Sequence, residues 1–198
     1  MIQEATDERL LERTRCGDSA AFQQLYECHR ETTFRFACLM LGSAEHAEDV
    51  THDCFLSLIG NPERFNSDKA SLRTYLYATA RNQVSKRIRR VDKESHLGRT
   101  AKEDLPVGSG QPLANLLDLE LADKVRKAIC QLPHPQREAI VLFEYEDQSL
   151  ADIATITGAE VGTIKWRLHE ARTKLRQELA PYLNGNAYER QENSNHAG

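Results

Sequence analysis

The sequence lacks the features that mark membrane and secreted proteins. No run of about 18 or more apolar residues occurs, so no transmembrane span is predicted. The N-terminus has no basic stretch followed by an apolar one, and it therefore does not predict a secretory signal. The five cysteines are odd in number and include no Cys-x-x-Cys pair, which favours reduced thiols in a cytoplasmic protein.

Signals for strands and for catalysis are also missing. No stretch alternates apolar and polar residues in the manner of a half-buried strand. Neither a glycine-rich phosphate loop nor a spacing typical of a catalytic triad is present. We therefore expect an all-α protein that is not an enzyme and has no metal or other cofactor.

The net charge of −4 conceals two short basic segments in an otherwise acidic chain. Residues 81–103 carry eight Lys and Arg against three Asp and Glu, and residues 161–180 carry five against two. Residues 1–80, by contrast, carry eight against thirteen. This distribution predicts two local contacts with nucleic acid and not a uniformly basic coat.

Apolar residues at helical spacing predict two helical domains joined by a flexible linker. In the first domain, Asp18 or Ser19 and then Ser43 are good N-caps, and Gly42 is a good helix end. Three glycines and two prolines interrupt the pattern in residues 93–115, as is typical of a linker. The predicted organisation is a domain at 1–92, the linker at 93–115, a second domain at 116–183 and a polar tail at 184–198.

The second domain contains a helix-turn-helix pattern. After the prolines at 133 and 135, one helix is predicted over 136–145, and two short helices are predicted on either side of Gly158. The sequence LADIATITG-AEVGTIKWRL places small Ala154 where two helices would cross and Ile164 where it would close a small core. Ser149 is a good cap for the first of the two helices. This spacing is typical of a module that presents its second helix to the major groove of DNA.

The second helix has two different faces. At about 100° per residue, Leu168, Ala171 and Leu175 share the side of Ile164 and are predicted to be buried. The opposite side, called here the outer ridge, consists of Gly162, Trp166, His169 and Thr173. The cations beside it are Lys165, Arg172 and Arg176 on one flank and Arg167 and Lys174 on the other. A ridge between two rows of cations suits a groove bounded by two phosphate backbones, and an exposed tryptophan argues against an ordinary solvated face.

Three segments, taken in order, point to one family. They are the acidic AEHAEDVTHDCF at 44–55, the segment 65–90 that contains LRTYLYATARN, and VGTIKWRL at 161–168. Leu132-Pro133, shortly before Arg137-Glu138-Ala139, is a fourth match. With these segments, residues 7–182 resemble a bacterial RNA polymerase sigma factor of the sigma-70 family, extracytoplasmic-function (ECF) type. The resemblance implies an alternative sigma factor that binds core polymerase and directs promoter recognition and transcription initiation.

The resemblance implies a role for the acidic helix. In the family this helix docks on the clamp helices of the largest polymerase subunit. The matching positions are Glu45, Asp49, His52 and Asp53. The three acids are four residues apart and share one helix face, so they can meet a basic partner together. Glutamine is common in the family where this chain has His52, and without the resemblance a solvated acidic face remains the alternative.

The following segment resembles the part that recognises and melts the minus-10 element. There an unpaired base is flipped into a pocket, and the exposed strand is held by basic and aromatic side chains. The corresponding residues are Phe65, Asn66, Lys69, Arg73, Tyr75, Arg81, Asn82, Lys86 and Arg87. Tyr75 stands where tryptophan is usual, and both Tyr75 and Tyr77 could equally be core residues.

The helix-turn-helix resembles the module that reads the minus-35 element. The corresponding residues are Arg137, Ser149, Thr163, Lys165, Trp166, Arg167, His169 and Arg172. Trp166 stands where serine is usual, so we expect a promoter preference that differs from the family norm. Arg137 is expected to contact a phosphate.

The resemblance implies core polymerase, promoter DNA and an anti-sigma factor, in many members a membrane-anchored one, as partners. One alternative is a sigma-like decoy that only sequesters an anti-sigma factor, but a decoy would not need the two basic segments. A stand-alone helix-turn-helix regulator is another, and it would leave the acidic helix unused. A metal sensor is disfavoured because His52 and Cys54 point about 200° apart on a helix.

Overall fold

The computed structural model describes the backbone of residues 2–95 and 116–195 and the side chains of residues 7–90 and 121–182. Within these ranges the chain is helical and has no strand, which confirms the all-α prediction. The helices are α1 (Ile2–Arg15), α2 (Ser19–Leu41), α3 (Ala44–Gly60), α4 (Leu72–Ser95), α5 (Leu116–Gln131), α6 (His134–Ile140), α7 (Leu150–Thr157) and α8 (Val161–Asn195). A 3₁₀ turn at Pro62–Arg64 and a π turn at Val141–Tyr145 complete the secondary structure there.

The helix ends follow the capping residues predicted from the sequence. The Asp18 carboxylate accepts hydrogen bonds from the backbone N–H groups of Ala20 and Ala21, at 3.0 and 3.1 Å. Ser43 caps α3 in the same way, by accepting from the N–H of His46 at 3.3 Å. Gly42 ends α2 with a left-handed φ of 71°, a conformation that glycine adopts without steric cost.

The N-terminal helical region consists of α1–α4, with α2 at its centre. Helix α2 packs against α1, α3 and α4. Leu25, Phe36, Phe55 and Leu76 are buried in the core, and the rings of Phe36 and Tyr77 lie 5.6 Å apart. The sequence left two tyrosines, Tyr75 and Tyr77, undecided between core and surface. The structure buries Tyr77 in the core.

The C-terminal helical region consists of α5–α8. Helix α8 packs against α5, α6 and α7, and it buries Ile164, Leu168 and Ala171 as the helical periodicity predicts. Gly158 forms the turn between α7 and α8 with a φ of 68°. The predicted helix-turn-helix is therefore present, with its buried stripe toward the core.

Two helices of the structure differ in extent from the helices that the sequence predicts. The helix expected over 136–145 divides into α6 and the π turn, where the N–H of Glu146 bonds to the carbonyl of Val141 at 3.1 Å. Helix α8 was expected to be short, but its backbone continues to Asn195. The residues from Arg176 to Ala180 are good helix formers and account for the helix up to Pro181, whereas its continuation past Pro181 and Gly185 has no explanation in local sequence preference.

The two helical regions pack against each other. Helix α4 contacts α7, and α2 contacts α5, α6 and the π turn. Buried apolar residues from both regions belong to one connected cluster. Residues 93–95 of the predicted linker belong to α4, and residues 96–115 lie outside the described residues, so the flexibility of the linker stays a prediction. Among the described residues, no helix combines the length and the apolar character that crossing a membrane requires.

Candidate protein and nucleic-acid interfaces

Helix α3 presents its acidic residues to solvent. Glu45, Asp49 and Asp53 are all exposed, while Val50, Cys54 and Leu58 fill the opposite side of the helix. The spacing of four residues thus produces one acidic face, defined here as Glu45, Asp49, His52 and Asp53. Such a face is suited to a basic protein partner.

The acidic face is bordered by rings and by exposed apolar side chains. The imidazole of His52 stacks on the ring of Tyr26, with a centroid distance of 6.4 Å and an interplanar angle of 6°. Leu56 is 65% exposed and Ile59 is 44% exposed, and both follow the acids along α3. An apolar pair beside a charged face is typical of a protein-binding surface.

The residues predicted to bind the minus-10 element fall into buried and exposed groups. Phe65 is buried and packs edge-on against the half-buried ring of Tyr75, at a centroid distance of 5.5 Å. Four other members are exposed, namely Asn66, Lys69, Asn82 and Lys86. Beside Phe65 and Asn66, an open cleft of about 260 Å³ lies between α1 and the loop before α4.

The three predicted minus-10 arginines already have protein partners. Arg87 donates to the carboxylate of Asp49 at 2.8 Å, which joins α4 to the acidic face of α3. Arg81 donates to Glu138 at 2.6 Å, and Arg73 donates to the backbone carbonyl of Glu146 at 2.5 Å. Arg73 and Arg81 therefore bind the C-terminal region in this structure.

The outer ridge of α8 faces solvent. Trp166 is 59% exposed, and Gly162, Thr163, Lys165 and His169 are exposed around it. Arg167 is half-buried on one flank. The predicted ridge, with cations beside it, is thus present on the surface, while its contact with DNA stays a prediction.

Arg172 and Ser149 have local partners within the C-terminal region. Arg172 donates to Glu144 at 2.5 Å and lies over the ring of Phe143, 5.3 Å from its centroid. Ser149 accepts from the N–H of Asp152 and so caps α7. The sequence predicted that cap, and the structure confirms it.

Arg137 points into the protein in this structure. Its guanidinium donates to the backbone carbonyls of Met40, Cys130 and Leu132. Burial lowers the pKa of Arg137. Because the arginine bonds to α2 and to the end of α5, it holds the two regions together here, and the predicted phosphate contact stays a prediction.

The sequence analysis missed two buried glutamates. Glu138 is 1% exposed and Glu146 is 0% exposed, and both lie where the C-terminal region meets α2 and α4. Burial raises the pKa of Glu138, while the neighbouring Arg81 opposes that shift. Their spacing was a sequence signal that could have predicted this burial. Glu138, Leu142 and Glu146 recur every four residues through an apolar segment and so share one helix face.

Glu146 is bound by three side chains of the N-terminal region. Arg35 donates to both of its carboxylate oxygens, each at 2.8 Å, and the hydroxyl of Tyr77 donates at 2.7 Å. This bond to Glu146 raises the pKa of Arg35. Burial, together with the carboxylate, raises the pKa of Tyr77 to about 12. Arg73 completes the set through the backbone carbonyl of Glu146.

Comparison with protein families identifies both helical regions. Residues 25–94 match the family described as Sigma-70 region 2, and residues 122–175 match Sigma-70, region 4. The chain is 32% identical to the ECF RNA polymerase sigma factor SigM of Mycobacterium tuberculosis over 182 residues, which cover 91% of this chain and 88% of SigM. The chain belongs to the ECF RNA polymerase sigma factors. Its function is therefore that of an alternative sigma factor in promoter recognition, as the sequence predicted.

Other relatives and solved structures agree with this family. The ECF RNA polymerase sigma factor SigW of Bacillus subtilis is 29% identical over 171 residues, with 82% of this chain and 91% of SigW covered. The sigma factor RpoE of Bartonella quintana, in complex with the anti-sigma factor NepR, has a TM-score of 0.67 and 26% identity, with 80% and 96% of the two chains covered. CnrH in complex with the cytosolic domain of CnrY shares the fold, with a TM-score of 0.65 at 22% identity and coverage of 89% and 98%.

Proposed function

We propose that the chain carries its sigma function on three separate surfaces, which dock on the polymerase, hold the melted minus-10 strand and read the minus-35 element. The observation that carries this proposal is the placement of the acidic face in the region 2 match and of the outer ridge in the region 4 match. Nucleotide transfer belongs to the core polymerase, and this chain supplies recognition and strand opening in the cytoplasm.

The acidic face of α3 docks on basic clamp helices of the largest polymerase subunit. Glu45, Asp49 and Asp53 supply aligned negative charge, and exposed Leu56 and Ile59 supply apolar contact beside it. Charge complementarity accelerates and orients the encounter, while the apolar pair adds burial. The surface of α3 thus combines complementary charge with apolar area that can be buried, and a stable protein interface uses both.

The loop before α4 and the outer side of α4 hold the melted minus-10 strand. Lys69, Asn82 and Lys86 are exposed along this path and can reach phosphates or bases. The cleft beside Asn66 offers a place for an unpaired base. Buried Phe65 supports the loop from below by its contact with Tyr75.

The outer ridge of α8 enters the major groove at the minus-35 element. In this proposal the exposed Trp166 and His169 contact bases and the exposed Lys165 contacts a phosphate, while Arg172 exchanges its bond to Glu144 for a phosphate. The overall negative charge of the chain makes binding to free DNA weak. Docking on polymerase therefore raises the effective concentration of both DNA-reading surfaces at the promoter.

An anti-sigma factor is a further partner under this proposal. The solved sigma factor of Bartonella quintana that this chain resembles is bound to one. In this chain the acidic face and the outer ridge are both open to such a protein. A membrane-anchored inhibitor would regulate this sigma factor by binding it, while the sigma factor itself remains in the cytoplasm.

The docking role is tested by reversing one charge on the acidic face. We expect Asp53→Lys to weaken binding to purified core polymerase at least about tenfold, because it places a cation against a basic surface. Asp53 is preferred over Asp49, whose carboxylate also bonds to Arg87. The measurement is a fluorescence titration with labelled sigma factor.

The matched control is Glu27→Lys, which makes the same charge change at an exposed position of α2 outside the acidic face. It should bind core polymerase as the wild type does. Equal affinities for wild type, Asp53→Lys and Glu27→Lys would contradict the assignment of the acidic face.

A further inference from the structure

The cleft beside Asn66 has a second wall, to which the predicted minus-10 residues do not contribute. One wall is the loop before α4, which lines the cleft with Phe65, Asn66 and Ser67. The other wall is α1, which lines it with Glu8, Leu11, Glu12 and Arg15. Helix α1 lies before the residues 25–94 that match Sigma-70 region 2, so the family match gives these α1 side chains no role.

Helix α1 is fixed to α2 at two points. A hydrogen bond of 2.9 Å joins the buried carboxylate of Asp7 to the buried imidazole of His29 on α2. At the end of α1, Arg13 donates to the carboxylate of Asp18 at 2.6 Å, and Asp18 also caps α2. A binding site on a helix held in this way keeps its geometry better than a site on a loop.

Arg15, the last residue of α1, joins the two walls of the cleft. Its guanidinium donates to the backbone carbonyl of Pro62 at 2.6 Å and to that of Phe65 at 3.4 Å. These carbonyls belong to the first residue of the 3₁₀ turn and to the residue directly after it. A single side chain therefore ties both ends of the turn to α1 and sets the distance between the walls, because the donors of a guanidinium have a fixed geometry.

The loop from Asn66 onward is shaped by its own hydrogen bonds. The side-chain oxygen of Asn66 accepts from the N–H of Asp68 at 2.8 Å, and its backbone carbonyl accepts from the N–H of Lys69 at 3.1 Å. Ser71 then caps α4 by accepting from a backbone N–H of the first turn at 3.2 Å. Local bonds thus support the loop after Asn66, and the bonds from α1 support it before Asn66.

The charges in the cleft favour a nucleobase over a phosphate. Glu8 and Glu12 are exposed and line the cleft. Their carboxylates repel a phosphate, but they can accept hydrogen bonds from the exocyclic amino group of a base, as acidic side chains do from cytosine. Adenine, cytosine and guanine carry such a group, whereas thymine presents a carbonyl oxygen where cytosine has its amino group. Glu12 is preferred for a test, because Glu8 also lines a neighbouring cleft of about 150 Å³.

We propose that α1 selects the unpaired base of the minus-10 element: Arg15 positions the loop, and Glu12 accepts a hydrogen bond from the amino group of the base in the cleft. The carboxylate repels the carbonyl oxygen of thymine, so thymine is disfavoured there. Arg15 is a positioning residue, since it acts through the two loop carbonyls and not on the base. The inference rests on the proposed function, which places an unpaired base in this cleft.

The test measures base preference in transcription. A promoter that the protein uses with core polymerase is prepared as a pool with a randomised minus-10 element, in which each template carries a transcribed barcode. Sequencing of the transcripts gives the preference at every position. Because the template strand enters the polymerase, the base in the cleft belongs to the other strand. For the wild type we expect one position at which thymine on that strand is depleted.

Glu12→Gln should reduce this depletion of thymine at least about fivefold and leave the other positions unchanged, because an amide can donate to the carbonyl oxygen of thymine. The matched control is Glu63→Gln, which makes the same charge change at an exposed residue of the 3₁₀ turn that does not line the cleft. It should keep the wild-type preference. Equal depletion of thymine in Glu12→Gln and the wild type would overturn the role of Glu12.

Arg15→Ala should weaken the preference at the same position, and Arg15→Lys should restore most of it, because lysine can still donate to the carbonyls. The matched control Arg9→Ala removes the same charge from another exposed residue of α1 and should leave the preference unchanged. Far-UV circular dichroism and binding to core polymerase should be those of the wild type in every variant. A preference that Arg15→Ala leaves intact, or that Arg9→Ala weakens equally, would contradict the positioning role.

Failure of this inference and failure of the proposed function give different results. If the wild type directs no transcription from any promoter, the proposed function fails, and the inference fails with it. If the wild type directs transcription but no position disfavours thymine, the role of α1 is overturned and the proposed function stands.

Discussion

At the scale of single residues, environment decides what each charged or reactive group does. Glu138 and Glu146 have the same side chain as exposed Glu144, but they are buried opposite arginines of α4 and α2. Helical periodicity identified the buried stripe of α8 because that stripe is apolar. It did not identify the two glutamates, although they recur at helical spacing with Leu142, because a carboxylate is normally exposed and the arginines that pair with them lie more than 50 residues away in sequence.

The cysteines allow a direct test of the burial described here. Burial raises the pKa of the Cys54 thiol to about 12, so its thiolate fraction at pH 8 is on the order of 10⁻⁴. Cys16 and Cys28 are exposed. Iodoacetamide at pH 8 should therefore alkylate Cys16 and Cys28 long before Cys54, as followed by peptide mass spectrometry.

Denaturant provides the control for this prediction. In unfolding concentrations of guanidinium chloride, Cys54 should react as fast as the two exposed cysteines, because its burial is lost. Equal alkylation rates in the native protein would show that α3 does not bury Cys54 against the core.

At the scale of elements, caps and turns were the most predictable features. Asp18, Ser43 and Ser149 act where the sequence placed them, because a cap depends on bonds to neighbours two or three residues away. The division of the 136–145 helix was not predictable in this way. The π turn there is accompanied by contacts of Glu146 with a distant region, and no local pattern encodes such contacts.

The turn of the helix-turn-helix makes a prediction at this scale. Gly158 has a φ of 68°, so Gly158→Ala should lower the free energy of unfolding by about 1–2 kcal/mol, even though no atom lies within 4 Å of the added Cβ. The loss comes from backbone strain alone. Urea denaturation followed by far-UV circular dichroism measures it.

Gly162 is the matched control, since it lies in the first turn of α8 and its added Cβ would also meet nothing within 4 Å. Gly162→Ala should leave stability unchanged or raise it by up to about 1 kcal/mol, because alanine favours helix more than glycine does. Equal destabilisation by both substitutions would contradict the role of the left-handed turn.

At the scale of the whole molecule, one chain joins an acidic surface on α3 to surfaces on α4 and α8 that carry cations. Under our proposal, the acidic face of α3 binds a basic protein, while the outer ridge of α8 and the surface of α4 bind phosphate. The order of these features along the sequence was sufficient to predict the family. The closed packing of the two regions was not predicted, because it depends on single bonds such as Arg35 to Glu146 and Arg137 to Met40.

The central claim is that this chain directs polymerase to promoters, and run-off transcription tests it most directly. Purified core polymerase is supplied with a pool of upstream fragments from the source organism, with and without the protein. We predict defined transcript starts that appear only when the protein is added. Absence of new starts, although the protein binds core polymerase, would contradict the account.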